Sequence, residues 1–227
     1  MIFRQLFDPL SSTYTYLLGD VAGGNAIIVD PVREQAGRDL GLIHELELKL
    51  AWIVESHVHA DHITGALALK EATGAGTSVA RNCGATGFDH LLDDGDFLEF
   101  GRESLRVIAT PGHTPGSSCF LWRDRLLTGD TLLIGGCGRT DFQQGDAGAL
   151  YDSITRRLFT LPDDTLVYPG HDYRGRRVSS IAEERVTNPR LAGVSRERFI
   201  EIMGNLDLPA PVRMNEAVPA NLRGGAH

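Results

Sequence analysis

The chain has 227 residues, enough to bury a sizeable core, and its 42% apolar and 23% charged residues are the balance of an ordinary soluble globular protein. A net charge of −8 argues against a broad phosphate-binding surface, so DNA and RNA are not expected partners. No apolar run approaches the roughly 18 residues that a membrane span requires, so no membrane association is expected.

At the N-terminus, MIFRQLFDPL has neither the charged start and apolar stretch of a signal peptide nor the Arg- and Ser-rich character of a transit sequence. A cytoplasmic location is expected. Strand-like runs come first: IFRQLF, TYTYLLGD and NAIIVD. Leu40, Ile43, Leu46 and Leu50 then recur at helical spacing and predict a helix over residues 34–49. AWIVES reads as a buried strand that delivers His57 at its end, and residues 63–73 as a helix closed by Gly74. TSVA, DFLEF, SLRVIAT, SSCFLW and DRLLTGD are further strand candidates, separated by Gly, Asp and Pro. A helix is expected over 146–159, a strand at TLVYP, and helices near 178–187 and 195–204. The tail, LPAPVRMNEAVPANLRGGAH, is Pro-rich and reads as irregular. The three cysteines, Cys83, Cys119 and Cys137, lack CxxC spacing and read as small buried residues in a reducing compartment. The expected architecture is layered α/β: two packed sheets with helices on the outer faces. It is read as one domain over 1–227, with a short helical and irregular C-terminal part from about 178.

Four strand ends carry side chains that bind metals. ESHVHADH presents His57, His59, Asp61 and His62; TPGHTPGS presents His113; LLTGDT presents Asp130; YPGHDY presents His171. In each, an apolar strand runs into a Gly- or Pro-rich turn, where sites are commonly built on a rigid scaffold. Residues two apart in an extended segment project to the same side, so His57, His59 and Asp61 can face one pocket, with His62 at the turn that follows. Imidazoles and carboxylates together suit iron(II), zinc and other first-row divalent metals. Taken singly, His113 or His171 is an ordinary surface or core histidine and Asp130 a turn residue. The complete set reads as a metal site. His44, His90 and His227 are read as ordinary surface or structural residues.

SHVHADH, TPGHTPGS, LTGD and YPGHDY together resemble the metallo-β-lactamase superfamily, over essentially the whole chain. The resemblance implies an αββα sandwich of two mixed β-sheets flanked by helices, with the metal site at the edge between the sheets. Glyoxalase II-like thioester hydrolases share the pattern. In them the positions of His57, His59 and His113 hold one metal, those of Asp61, His62 and His171 a second, and that of Asp130 bridges the pair. All seven positions are present here. The wider context points elsewhere: DTLLIGGCGRTDFQQGDAGALYDSI (130–154), HADHITGA, the HDYRG stretch, EERVTNPRL and IMGNLDLP are similar to the persulfide dioxygenase family.

That second resemblance implies one iron(II) per chain, held by His57, His113 and Asp130. Two histidines and a carboxylate make a facial triad with positions open for substrate sulfur and dioxygen. His59, Asp61, His62 and His171 would then orient ligands, hold water or relay protons; in the hydrolase alternative they serve a second metal. The implied reaction oxidises glutathione persulfide with dioxygen and water to glutathione and sulfite. Glutathione carries two carboxylates, which an arginine can grip through paired hydrogen bonds. Arg139, Arg190 and Tyr173 are the candidate substrate contacts, while Arg176 and Arg177 read as surface charges. Cys137 and Asp141 are read as supports of the loop after Asp130. A homodimer is suggested by family analogy. Some relatives have a cysteine where this chain has Gly224, so no role of that thiol transfers. No rhodanese-like segment is present, so sulfur transfer by a fused domain is not expected. Two other readings compete less well. A non-catalytic metal-stabilised scaffold does not need a complete ligand set, and a nuclease is disfavoured by the acidic charge.

Overall fold

The computed structural model describes residues 1–226; the reading of His227 lies outside the described residues. The first sheet contains β1 (Ile2–Asp8), β2 (Thr13–Asp20), β3 (Asn25–Val29), β4 (Lys49–Val54), β5 (Gly76–Ala80) and β6 (His90–Leu92), in that spatial order. β1 to β3 pair antiparallel and β3 to β6 parallel. The parallel pairs need crossovers: α1 (Ala36–Glu45) joins β3 to β4, α2 (Ala66–Thr73) joins β4 to β5, and a 3-10 turn at Arg81–Cys83 lies between β5 and β6. The second sheet uses β7 (Phe97–Phe100), β8 (Glu103–Ala109), β9 (Ser118–Trp122), β10 (Arg125–Gly129), β13 (Leu166–Pro169) and β14 (Ser179–Ser180), ordered β14-β13-β10-β9-β8-β7. Only its β10–β13 pair is parallel. A small ladder of β11 (Leu132–Leu133) and β12 (Gly136–Cys137) lies beyond β10.

Alternation along the strands builds three apolar layers. Tyr14, Tyr16, Leu18, Ile27 and Val54 of the first sheet meet Phe100, Val107, Phe120, Trp122 and Leu127 of the second. The outer face of the first sheet, through Leu17, Ile28 and Ile53, is covered by Ile43 of α1 and Leu69 of α2. The outer face of the second, through Ile108, Cys119, Leu126 and Val167, is covered by α3 (Ala147–Ser153), α4 (Ile181–Thr187) and α5 (Arg196–Gly204). The layering is the expected αββα sandwich.

Element boundaries differ from the sequence reading in instructive places. The helix expected over 34–49 begins as a 3-10 turn at Arg33–Gln35 and stops at Glu45, because Glu47 takes a positive φ of 53° and Leu50 belongs to β4. The helix expected from residue 63 starts at Ala66, and Gly74 ends it in the left-handed conformation as predicted. Asp146, Ser180 and Ser195 cap α3, α4 and α5 by accepting the N–H three residues on. α3 continues as a π-helical turn, Ile154–Leu158. The larger correction is the tail: it is not wholly irregular, but contains α6 (Met214–Asn221) with Pro219 inside it. Proline lowers intrinsic helix propensity, and here docking overrides it: Ala217 and Ala220 pack on Ile63.

Candidate metal centre

The parallel strands β3 and β4 end side by side, as do β10 and β13, with Val29 opposite Val54 and Gly129 opposite Pro169. The residues that follow those ends therefore meet at one edge of the sandwich. Asp30, just after β3, sits at φ 52° and accepts two hydrogen bonds from Ser56, from its N–H (2.7 Å) and its hydroxyl (2.8 Å). With that proton committed to Asp30, Ser56 Oγ accepts from His57 Nδ1 at 3.0 Å. Nε2 of His57 is thereby the unprotonated nitrogen. Burial, with His59 and His113 adding to it, keeps His57 well below the ordinary histidine value, so the ring is neutral.

His113 is prepared in the same way. Its Nδ1–H donates to the Arg139 carbonyl (2.7 Å), which leaves Nε2 with its lone pair, 3.8 Å from Asp130 Oδ2. The GCG motif explains how the loop comes so close. A Cβ on Gly138 would lie 2.1 Å from the Asp130 carbonyl and 3.0 Å from the His113 ring, so only glycine fits. Burial acts to raise the Asp130 pKa, but His171, His113 and His57 outweigh it, and the carboxylate lies below its ordinary range. Asp130 Oδ1 accepts from His171 Nδ1 at 2.6 Å.

His171 is held from both sides, for its Nε2 lies 3.0 Å from Asp61 Oδ2 and 3.0 Å from Thr13 Oγ1. Burial opposes a proton on His171, yet Asp130 and Asp61 raise its pKa well above the ordinary value. Asp61 Oδ2 also accepts from His62 Nδ1 (2.8 Å). His59 Nε2 stands 3.2 Å from Asp30 and 3.6 Å from Glu55, and its ring centroid is 4.0 Å from that of His57. The seven residues fall into two groups whose ligand atoms lie within 4.8 Å of one another: His57, His113 and Asp130, and His59, Asp61, His62 and His171. Among the described residues, the buried Nε2 of His62 has no hydrogen-bond partner, and His57 and His113 each turn an unprotonated Nε2 toward the cluster. Buried polar atoms are rarely left so, and a cation suits this donor set. The residues present fit a metal centre.

A cavity of about 950 Å³ opens over the first group. His57, His113, Asp130 and His171 line it at one end, with Arg139, Tyr173, Arg190 and residues 208–213 around them. Arg139 is heavily engaged. It forms a two-pronged pair with Asp141 (2.7 Å twice), donates to the carbonyls of Leu208 and Pro209, and lies 4.4 Å over the Phe142 ring. Arg190 is anchored through one nitrogen, Nη1, to the Cys137 carbonyl (3.1 Å). Tyr173 is 74% exposed, and its ring is parallel to that of His171 at 6.2 Å. Cys137 is buried, its Sγ 3.8 Å from Met203 Sδ, and burial raises its thiol pKa against the opposing pull of Arg190. It has the character of a packed thiol. Arg176 pairs with Asp172 and both line the same cavity, while Arg177 bonds Gln5 and does not.

Several contributors have no signal in the sequence. Ser56, just before the ligand motif, and Asp30, just after β3, read as ordinary polar residues, yet they set the His57 tautomer. Thr13 on β2 reaches His171 only because β2 crosses the site edge. Asn221 on α6 hydrogen-bonds the backbone of the His59–Thr64 loop from 157 to 162 residues away.

Residues 8–171 match the Metallo-beta-lactamase superfamily. The chain is 50% identical over 227 residues to the protein named persulfide dioxygenase ETHE1, mitochondrial, of Homo sapiens, covering 99% of this chain and 89% of the human one. The crystal structure of ETHE1 from Myxococcus xanthus superposes with a TM-score of 0.97 at 56% identity, covering 99% of this chain and all of that one (100%). A more distant neighbour, TTHA1623 solved in a di-iron-bound form, has a TM-score of 0.69 at 26% identity, covering 84% of this chain and 100% of that one. Strand ends that gather two histidine–carboxylate groups, on a fold matched along nearly its full length, place this chain in the persulfide dioxygenase family of the metallo-β-lactamase superfamily.

Proposed function

We propose that this chain oxidises glutathione persulfide with dioxygen and water, giving glutathione and sulfite, at one iron(II) held by His57, His113 and Asp130. The balance is one persulfide, one O2 and one water to one thiol and one sulfurous acid. The terminal sulfur loses the four electrons that dioxygen gains. Iron(II) in such a triad supplies the electron transfer to dioxygen that redox-inert zinc cannot.

The observation that carries the single-metal reading is the state of His171 and Asp130. His171 faces carboxylates through both ring nitrogens, Asp130 at 2.6 Å and Asp61 at 3.0 Å, which suits a role in holding those carboxylates beside one cation. Asp130 Oδ1 is occupied by that contact, which directs Oδ2 to the side of His113. Ser56 and the Arg139 carbonyl keep both ligand histidines in the Nε2-accepting tautomer. Arg190, fixed at one nitrogen, presents the rest of its guanidinium to the cavity for a glutathione carboxylate. Arg139 keeps most of its donors on Asp141 and residues 208–209, so its contribution is mainly to shape the wall. Tyr173, parallel to His171, borders the reacting sulfur. Three unpaired thiols suit a reducing, cytoplasmic setting. Residues 1–227 are read as one catalytic unit.

The second group of ligands and the di-iron form of TTHA1623 support a second reading, a dinuclear hydrolase of glutathione thioesters. One experiment separates them. The protein is reconstituted anaerobically with iron(II), its metal is counted per chain, and oxygen uptake with glutathione persulfide is followed beside thioester hydrolysis. One iron with stoichiometric oxygen uptake and sulfite release is expected. Two metals per chain with thioester turnover and no oxygen uptake would overturn the proposal.

A further inference from the structure

Asn221 ends α6, 3% exposed, beneath the loop that carries His59, Asp61 and His62. Its amide makes three hydrogen bonds, all to that loop. Oδ1 accepts the Thr64 N–H at 2.9 Å, and Nδ2 donates to the carbonyls of His59 (2.9 Å) and His62 (2.8 Å). Both amide hydrogens are thereby used, each on the peptide of a histidine in the metal cluster. No other natural side chain of this size offers one acceptor and two donors from one rigid plane.

The surroundings make this contact a clamp. On the opposite side the loop is tied to the exit of β3, where Arg33 N–H donates to the Ile63 carbonyl (2.9 Å) and Gly65 N–H to Pro31 (2.7 Å). The Thr64 hydroxyl donates to Glu55 (2.5 Å) and accepts the Ala66 N–H at the start of α2 (3.0 Å). α6 reaches the loop through Ile63, which packs on Ala217 and Ala220, and the chain beyond it is locked when the Leu222 carbonyl accepts the N–H groups of Thr86 and Gly87. The loop thus lies between two fixed walls, and Asn221 is the polar contact of the C-terminal one.

We propose that Asn221 is a positioning residue for the metal centre, setting the peptide planes of His59 and His62 and through them the orientation of the imidazoles beside the metal. It touches neither metal nor substrate. The inference rests on the cluster being a metal centre, so wild-type protein that retains no iron(II) would sink that reading itself. The test is the rate of iron(II) loss to a chelator under anaerobic conditions, together with kcat and KM for glutathione persulfide. Asn221→Ala is expected to lose iron about 10- to 100-fold faster, the scale of deleting a group that orients ligands. Its kcat should fall while KM stays near wild type, because the cavity wall is untouched. Asn221→Ser keeps one donor and one acceptor and should lie between, which keeps the test open if the alanine variant does not fold. Ile43→Val, a core change in α1 far from the site, lowers the melting temperature and should leave iron loss unchanged. Iron loss and kcat at wild-type values in Asn221→Ser and Asn221→Ala overturn the proposal. So does faster iron loss that is matched by Ile43→Val at equal melting temperature.

Discussion

The hydroxyl of Ser56 and the carboxyl of Asp39 show how single groups set behaviour in this protein. Ser56 donates its hydroxyl hydrogen bond to Asp30 and so accepts from His57, which turns Nε2 of that ring toward the cluster. Ser56→Ala leaves His57 free to change tautomer. Iron(II) affinity should fall about 10- to 100-fold, measured by anaerobic titration against a competing chelator; unchanged affinity would refute this role. Asp39, buried in α1 beside Arg38, is pushed from its ordinary 3.8 up to about 6 by burial, with Arg38 opposing. The folded protein therefore keeps a proton that the unfolded chain releases between those values. The stability tied to that proton is full below the lower value and is lost as pH rises through the upper one, by up to about 3 kcal/mol. Asn cannot titrate, so Asp39→Asn should gain on wild type by about that amount between pH 4 and pH 7 in urea unfolding. A pH-independent difference between the two would count against the assignment.

At the scale of elements, the longer strands and most helices were legible because their signals are local, while the two- and three-residue strands β6, β11, β12 and β14 are too short to carry one. β2, β3 and β4 are buried apolar runs and Gly74 stops α2, whereas the caps Asp146, Ser180 and Ser195 of α3 to α5 emerge only in the structure. α6 was not legible, since Pro219 and the Pro-rich approach argue against a helix until Ile63 is there to receive it. The segment after α6 has a glycine with a structural reason. Gly224 takes φ 67°, and a Cβ there would lie 2.6 Å from the Gly87 carbonyl. Gly224→Ala should therefore destabilise by about 1–3 kcal/mol, read as a lower urea midpoint with an unchanged slope. A cysteine at this position would meet the same obstacle, so the backbone here is built for glycine.

For the whole molecule, the metal centre is assembled from four strand ends spread over more than a hundred residues, from His57 to His171. A cation that binds them only when they are together stabilises the fold by mass action. Free metal at a thousandfold excess over Kd adds about 4 kcal/mol, or roughly 8–16 °C for a chain of this size. Anaerobic calorimetry of the chelated and the iron(II)-loaded protein should show a shift of this order, reversed by adding iron back. Identical melting temperatures would mean that the centre is preformed without binding metal appreciably.

The sequence by itself determined the layered class, the seven candidate ligand positions and the family. Those follow from the order of residue types and from motifs a few residues long, which survive without any knowledge of distance. Only the tertiary structure decided how the seven divide into two groups, that His171 spends both nitrogens on carboxylates, that Arg139 is tied to its own loop, and that Asn221 hydrogen-bonds the His59–Thr64 loop from the far end of the chain. Each of these depends on which nitrogen or oxygen faces which neighbour across the fold. Hydrogen-bond direction is set by packing between distant segments, and a linear pattern of residue types does not carry it.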